Sequence, residues 1–287
     1  MLIGLVFFGR REMVKVLDCY LKRNLKDNGG LLDQVIFTVH TDNEEDLAYL
    51  EDLLKTSPRY SKHIQTQTYS DGWYTANWEP VKDPKAVYIK IDDDVVFIEN
   101  KTISAVVTRL LDNPQYFAVS ANVLNNPSLS WVHYHISDFN KDGSTPAPYA
   151  GHRWLPARVP PGSPYNIEDS PVSTFTYDAF GPSLGNWAAA AQSHYSFLHH
   201  LEKGDTWRYE FDTWDYSYTR LSINFFAIRG KDIMDAFPFP FSDDEAFLTE
   251  IRLAELKGMW HGLTDTDLMS RYKAYADEMV CVNIPVM

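Results

Sequence analysis

Only two cysteines occur in 287 residues, Cys19 and Cys281. Two are too few for a disulfide scaffold. Both lie in apolar periodic segments, so they read as small buried hydrophobes of a protein from a reducing compartment. No apolar run approaches the roughly 20 residues of a membrane span. The apolar start, Met1 to Phe8, is short, has no basic stretch before it and leads straight into Arg10-Arg11. It reads as a first strand and not as a signal peptide. The expected setting is cytoplasmic, or the soluble part of a longer anchored protein. Positive charge is also scarce: 26 Lys and Arg stand against 39 Asp and Glu, a formal net charge of −13. That argues against a nucleic-acid or anionic-membrane surface, which needs clustered Lys and Arg. A small phosphate-bearing ligand stays open, because a divalent cation inverts the local charge. There is no internal repeat and no low-complexity tract.

What is present points to a soluble α/β protein. Leu2 to Phe8 is a continuous apolar run, the mark of a strand buried on both faces. Met13, Val16, Leu17, Tyr20, Leu21 and Leu25 then recur at helical spacing, up to Gly29-Gly30 as the expected stop. Val35 to Val39 reads as a second strand. Thr41 or Asp42 is the expected cap of the next helix, whose buried face is Leu47, Leu50, Leu53 and Leu54. Ile64 to Tyr69 is a weaker third strand. Strand and helix alternate, which predicts a parallel sheet. Asn100 is expected to cap a helix, Tyr116 to Ala121 to form a strand, Trp187 to Lys203 a helix, and Ile223 to Arg229 a strand. A helix over Asp267 to Ala276 and a strand over Met279 to Ile284 are expected to close the chain. Aromatic residues make up 14% of the chain, enough to furnish sugar-stacking platforms, although most will be core. Residues 124–186 are rich in Pro, Gly, Ser and aromatics, and read as an excursion over a functional face.

The sharpest signal is Asp92-Asp93-Asp94, placed after the apolar run Ala86-Val87-Tyr88-Ile89 and before Val95-Val96-Phe97. Three adjacent carboxylates repel and resist desolvation, so a strand tip carrying them is costly without a cation. Hard oxygen ligands suit Mg²⁺ or Mn²⁺, ions that usually also bind substrate phosphates. A solvated acidic turn is the plain alternative. A second acidic cluster, Ser242-Asp243-Asp244-Glu245, opens a late helix with Phe247 and Leu248 behind it. Acids in a first turn favour the helix dipole, so a capping role stands beside a catalytic one.

The acidic triplet after a buried strand, preceded by two βα units, resembles the GT-A glycosyltransferases. That resemblance implies a Rossmann-like, mixed but mainly parallel sheet flanked by helices in a single domain. Residues 1–123 would be the nucleotide-sugar half, 124–186 the acceptor-side excursion, and 187–287 the acceptor and catalytic half. It implies a metal-dependent enzyme moving a hexose from a UDP- or GDP-sugar to a hydroxyl of a carbohydrate or other acceptor. Asp92 and Asp94 match the two acids of the family's DxD motif, with Mn²⁺ or Mg²⁺ as the ion. Phe8, Gly9, Arg10 and Arg11 match the nucleotide-binding loop after the first strand, and Asp92 and Asp93 complete the nucleotide-facing set. Asp244-Glu245-x-x-Leu248 looks like the family's late ED-x-x-L element. Its acids face the acceptor, which gives Asp244, then Glu245, with Asp243 beside them, as candidate catalytic residues. His261 sits where several members supply a third metal ligand.

Two other readings use the same residues. Asp92-x-Asp94-x-Val96 also satisfies the first motif of haloacid dehalogenase-type phosphohydrolases, with Asp92 as nucleophile. That motif normally lies on a domain's first strand, whereas two complete βα units precede it here. A non-catalytic carbohydrate-binding module would suit the aromatic excursion, but has no need of acids at two element ends.

Overall fold

The computed structural model describes residues 1–65, 74–124, 187–209, 223–239, 244–249 and 268–281. The chain falls into two compact units. One comprises Met1–Ala121, Ile223–Ala254 and Tyr272–Met287, and the other Asn122–Ser222 and Glu255–Arg271.

The first unit is built on a six-stranded, mainly parallel sheet. β1 (Leu2–Phe8) is buried along its whole length. It pairs in parallel with β2 (Gln34–Val39) on one side and β4 (Val87–Asp92) on the other. β3 (Tyr60–Ile64) lies parallel beyond β2. β6 (Phe225–Arg229) runs antiparallel beside β4, and β5 (Ala118–Ser120) pairs antiparallel with β6 at the edge. The order is therefore β3-β2-β1-β4-β6-β5.

Alternation along the strands sorts side chains between the two faces. Ile3, Leu5 and Phe7 of β1, Tyr88 of β4, and Phe226 and Ile228 of β6 join one buried cluster with Trp78 and Phe239. Burying such side chains contributes about 1.5–3 kcal/mol each. α1 (Arg11–Asn24) follows β1 and buries Met13, Val14, Val16, Leu17, Tyr20 and Leu21. α2 (Glu44–Leu54) follows β2, and α3 (Thr102–Asp112) follows β4. α5 (Gly230–Ala236) and α6 (Asp244–Thr249) follow β6.

Several expected boundaries move. α1 ends at Asn24, and Gly29, at φ 83°, closes a short 3₁₀ turn over Lys26–Asn28. Asn43, rather than Thr41 or Asp42, caps α2, because its side chain accepts from the amides of Glu45 and Asp46 at 2.9 and 3.1 Å. The third strand, Tyr60–Ile64, begins four residues before the expected start at Ile64, and residues 66–69 of the expected stretch lie outside the described residues. α3 begins after Lys101, so Asn100 is not its cap. α7 (Leu268–Tyr275) continues into a π-helical turn over Ala276–Val280, where a strand from Met279 was expected. Residues 282–284 of that strand lie outside the described residues.

The largest correction concerns the cysteines. Cys19 on α1 and Cys281 after the π-helical turn form a disulfide, with Cα atoms 5.1 Å apart. The two half-buried sulfurs are thus neither free nor merely hydrophobic. Disulfides persist in oxidising compartments, so the argument for a reducing one falls away. Beside this bond Tyr272, Ala276 and Val280 are buried, and the Phe97 ring lies 5.7 Å from Tyr20 and 5.9 Å from Tyr275.

In the second unit, α4 (Trp187–Lys203) has the bounds read from the sequence. Gly204, at φ 73°, ends it, and a 3₁₀ turn over Thr206–Tyr209 folds back. Tyr209 packs on Phe197 at 5.1 Å, and its hydroxyl lies 2.9 Å from His200 Nδ1. The aromatic excursion, residues 125–186, lies outside the described residues. Among the described residues no helix is long and apolar enough to cross a membrane.

Candidate functional site

The order of the sheet reverses at β1. The chain steps from β1 to β2 and β3 on one side, and β4 lies on the other. In open α/β sheets ligands bind beyond the carboxyl ends of the strands at such a reversal. Gly9 and Arg10 follow β1 at that edge, and Asp93 and Asp94 follow β4. Because β6 runs antiparallel, its beginning reaches the same edge: the Asp92 amide donates to Asn224 O at 2.8 Å.

The three acids separate by strand alternation. Asp92 faces the cluster that holds Phe7 and Trp78. Its Oδ1 accepts from Lys90 Nζ, and its Oδ2 accepts from Asn224 Nδ2 at 2.9 Å. Lys90 is itself buried, its ammonium 4.8 Å from the centre of the Phe7 ring. Burial pushes the Asp92 carboxyl up to about 7; Lys90 opposes the rise and Asp94 adds to it. Asp93 turns to the loop after β1. Its Oδ2 accepts from the Gly9 amide at 2.9 Å, and its Oδ1 from Arg10 Nε at 3.0 Å and from Arg10 Nη2. Burial raises this carboxyl too, against the pull of Arg10. Arg10 Nη2 also reaches Asp94 Oδ2 at 3.1 Å. Burial works against the Arg10 charge, but Asp94 and Asp93 outweigh it and raise its pKa. A Cβ on Gly9 would lie 3.3 Å from Asp93 Oδ2, so the close approach of the two loops favours glycine.

The other expected residues divide. Phe8 is fully buried against Phe37, so only its backbone meets the edge. Arg11 turns away to Asp46 at 3.0 Å, to Glu45, and to Glu12 at 3.3 Å. Asp244 is buried at the head of α6 and accepts from the Trp78 indole N–H at 2.9 Å. Trp78 packs on Phe7 at 5.5 Å and on Phe226 at 5.9 Å. Glu245 is half-buried and accepts from the Ile223 amide at 3.3 Å. Ile223 adjoins Asn224, so the head of α6 is tied to the neighbourhood of Asp92. Asp243 and His261 lie outside the described residues.

Sequence reasoning missed Lys90 and Asn224. Lys90 left a trace, as the one charge inside an apolar strand. Asn224 left none, since its partner lies 132 positions away.

The site also changes the charge argument. Lys90 faces Asp92, and Arg10 faces Asp93 and Asp94, so the chain's own cations meet all three acids. On the loop side, Asp93 and Asp94 share Arg10. Each carboxylate oxygen accepts more than one partner, so Asp92 and Asp94 keep capacity for a hard cation. Two carboxylates completed by substrate phosphates are a usual Mg²⁺ set, and the donor chemistry here fits. Among the described residues, the one group of three Cys, His, Asp or Glu ligand atoms within 4.8 Å is Cys19, Asp277 and Cys281, whose sulfurs are already joined. No protein-family model matches this chain, and no curated protein matches it.

Proposed function

We propose that this chain is a metal-dependent glycosyltransferase that moves a sugar from a UDP- or GDP-sugar to an acceptor hydroxyl. One observation carries the reading. Arg10, after β1, is clamped to Asp93 and Asp94, after β4, at the point where the strand order reverses. Such an edge suits a ligand that carries both phosphate and hydroxyl groups.

The roles follow from placement. Asp94, with Asp92 beside it, would hold the divalent cation. That ion would neutralise the diphosphate as it leaves. The Arg10 side chain remains 41% exposed, so its Nη1 can donate to a phosphate oxygen while Nε and Nη2 hold the acids. Asp93 keeps the two loops together. Of the two late acids among the described residues, Glu245 is the less buried, and we assign it the acceptor proton. Asp244, beneath Trp78, anchors the helix that presents it. The phosphohydrolase reading needs Asp92 as an attacking nucleophile on a domain's first strand, and here β1, α1, β2, α2 and β3 all precede β4.

Calorimetry with UDP and GDP, with and without Mn²⁺, tests this. Binding that requires the metal, and that Asp94→Ala weakens by about tenfold or more, is the expected result. Unchanged affinity in Asp94→Ala overturns it. Stabilisation only by metal with beryllofluoride would favour the phosphohydrolase.

A further inference from the structure

The segment that leaves β4 carries Asp93 and Asp94 and turns at Val95, whose amide donates to Asp92 O at 3.2 Å. It runs on through Val96, Phe97 and Ile98, of which Val96 and Ile98 are buried. The Phe97 ring meets Tyr20 of α1 at 5.7 Å and Tyr275 of α7 at 5.9 Å. Arg23 of α1 donates to Ile98 O at 2.5 Å, and its guanidinium lies over the Tyr20 ring at 5.1 Å. Cys19 adjoins Tyr20, and Cys281 follows the π-helical turn that begins after Tyr275. Their disulfide therefore fastens together the two elements whose rings meet Phe97. Both cysteines are half-buried rather than enclosed, and Asp277, its Oδ1 3.9 Å from Cys281 Sγ, is exposed. The bond is open to a small dithiol from that side.

We propose that the Cys19–Cys281 disulfide is a redox-controlled clamp on the acidic loop. Closed, it holds Tyr20 and Tyr275 against Phe97 and so fixes the segment that presents Asp93 and Asp94. Opened, it frees the π-helical turn from α1, and the segment loses one of its supports. Coupling of this kind travels through contiguous packed side chains. Opening consumes one dithiol. One of its thiolates attacks a cysteine sulfur, the S–S bond breaks, and the other cysteine leaves as a thiolate that takes up a proton. The reductant's second thiol then displaces the first cysteine as a thiol and closes the reductant's own disulfide. The protein gains two electrons and two protons, and the dithiol loses them. The clamp stands without the glycosyltransferase reading; only its effect on Mn²⁺ rests on that reading.

Amide hydrogen exchange read by mass spectrometry tests the clamp on the full chain. It is measured for oxidised wild type, for wild type reduced with dithiothreitol, and for Cys19→Ser/Cys281→Ser and Phe97→Leu. Reduction should speed exchange across residues 92–98 by about fivefold or more beyond any change in β1 and β2. The double variant should exchange like reduced wild type and ignore dithiothreitol. Phe97→Leu should loosen residues 92–96 with the disulfide intact. Equal acceleration in every peptide would mean that the bond adds only global stability, and overturns the clamp. So does an acidic loop that reduction leaves unchanged. If the reduced protein and the double variant unfold, oxidised Phe97→Leu decides, because unchanged exchange at 92–96 also overturns the clamp. Mn²⁺ is then titrated calorimetrically into oxidised wild type and the double variant, both free of reductant. The variant should bind about fivefold more weakly. Measurable but equal affinities overturn the proposal. No Mn²⁺ binding by either protein overturns the metal-dependent reading, and exchange alone then decides the clamp.

Discussion

Lys90 is an ammonium inside an otherwise apolar strand, and it is there to meet Asp92. The Asp92 carboxyl is held up near 7 chiefly by burial, whereas in the unfolded chain it ionises near 4. A raised folded pKa favours the native state at low pH. That contribution is complete below about 4 and is lost as the pH rises through about 7. Asp92→Asn cannot ionise and has no such slope. Its stability deficit against wild type, measured by urea denaturation, should therefore shrink between pH 5 and pH 8. A constant deficit would show that Asp92 ionises as an ordinary surface carboxylate. The position of this acid was legible, since a polar triplet at the end of an apolar run is a local pattern. Its neutralising partners were not. Arg10 lies 83 positions from Asp93, and Asn224 lies 132 from Asp92. Only the pairing of β1, β4 and β6 brings them to one edge.

At the level of elements, α6 is short and owes its place to packing and to the hydrogen bonds of its first-turn acids. A helix of six residues is marginal in isolation. Phe247 stacks on Phe239 at 4.8 Å, and the Trp78 indole donates to Asp244. Trp78→Phe keeps most of the aromatic contact with Phe7 and Phe226 but removes that donor from a buried acid. The expected cost is about 1–3 kcal/mol in urea denaturation and, on the glycosyltransferase proposal, a fall in kcat larger than any change in donor KM. Stability and turnover both unchanged would show that α6 needs no such anchor. The same scale explains which elements the sequence disclosed. Leu2–Phe8 and Trp187–Lys203 were legible to the residue, one as an unbroken apolar run and the other as a long periodic segment. β3 was misplaced because Tyr-Ser-Lys-His-Ile, at the sheet edge, buries only Tyr60 fully. The cap of α2 was misplaced because Thr41, Asp42 and Asn43 are all capable caps. Backbone geometry alone chooses among them.

Across the whole first unit, the disulfide joins positions 262 apart and holds the C-terminal turn against α1. Cross-linking so long a loop restricts the unfolded chain, so Cys19→Ser should destabilise by about 2–5 kcal/mol under non-reducing conditions. A dithiol reductant should bring wild type down to the variant, and equal melting temperatures before reduction would show that the bond contributes nothing. The pairing could not be read from the sequence, because two cysteines at opposite ends of a chain carry no sign of proximity. Their distance in the chain also sets an order of events during synthesis. Cys19 is synthesised 262 residues before its partner. The sulfur bridge therefore cannot form until every strand of the sheet has been synthesised. Until then the early thiol is a chemical birthmark of the unfinished molecule, readable by any reagent that alkylates sulfur.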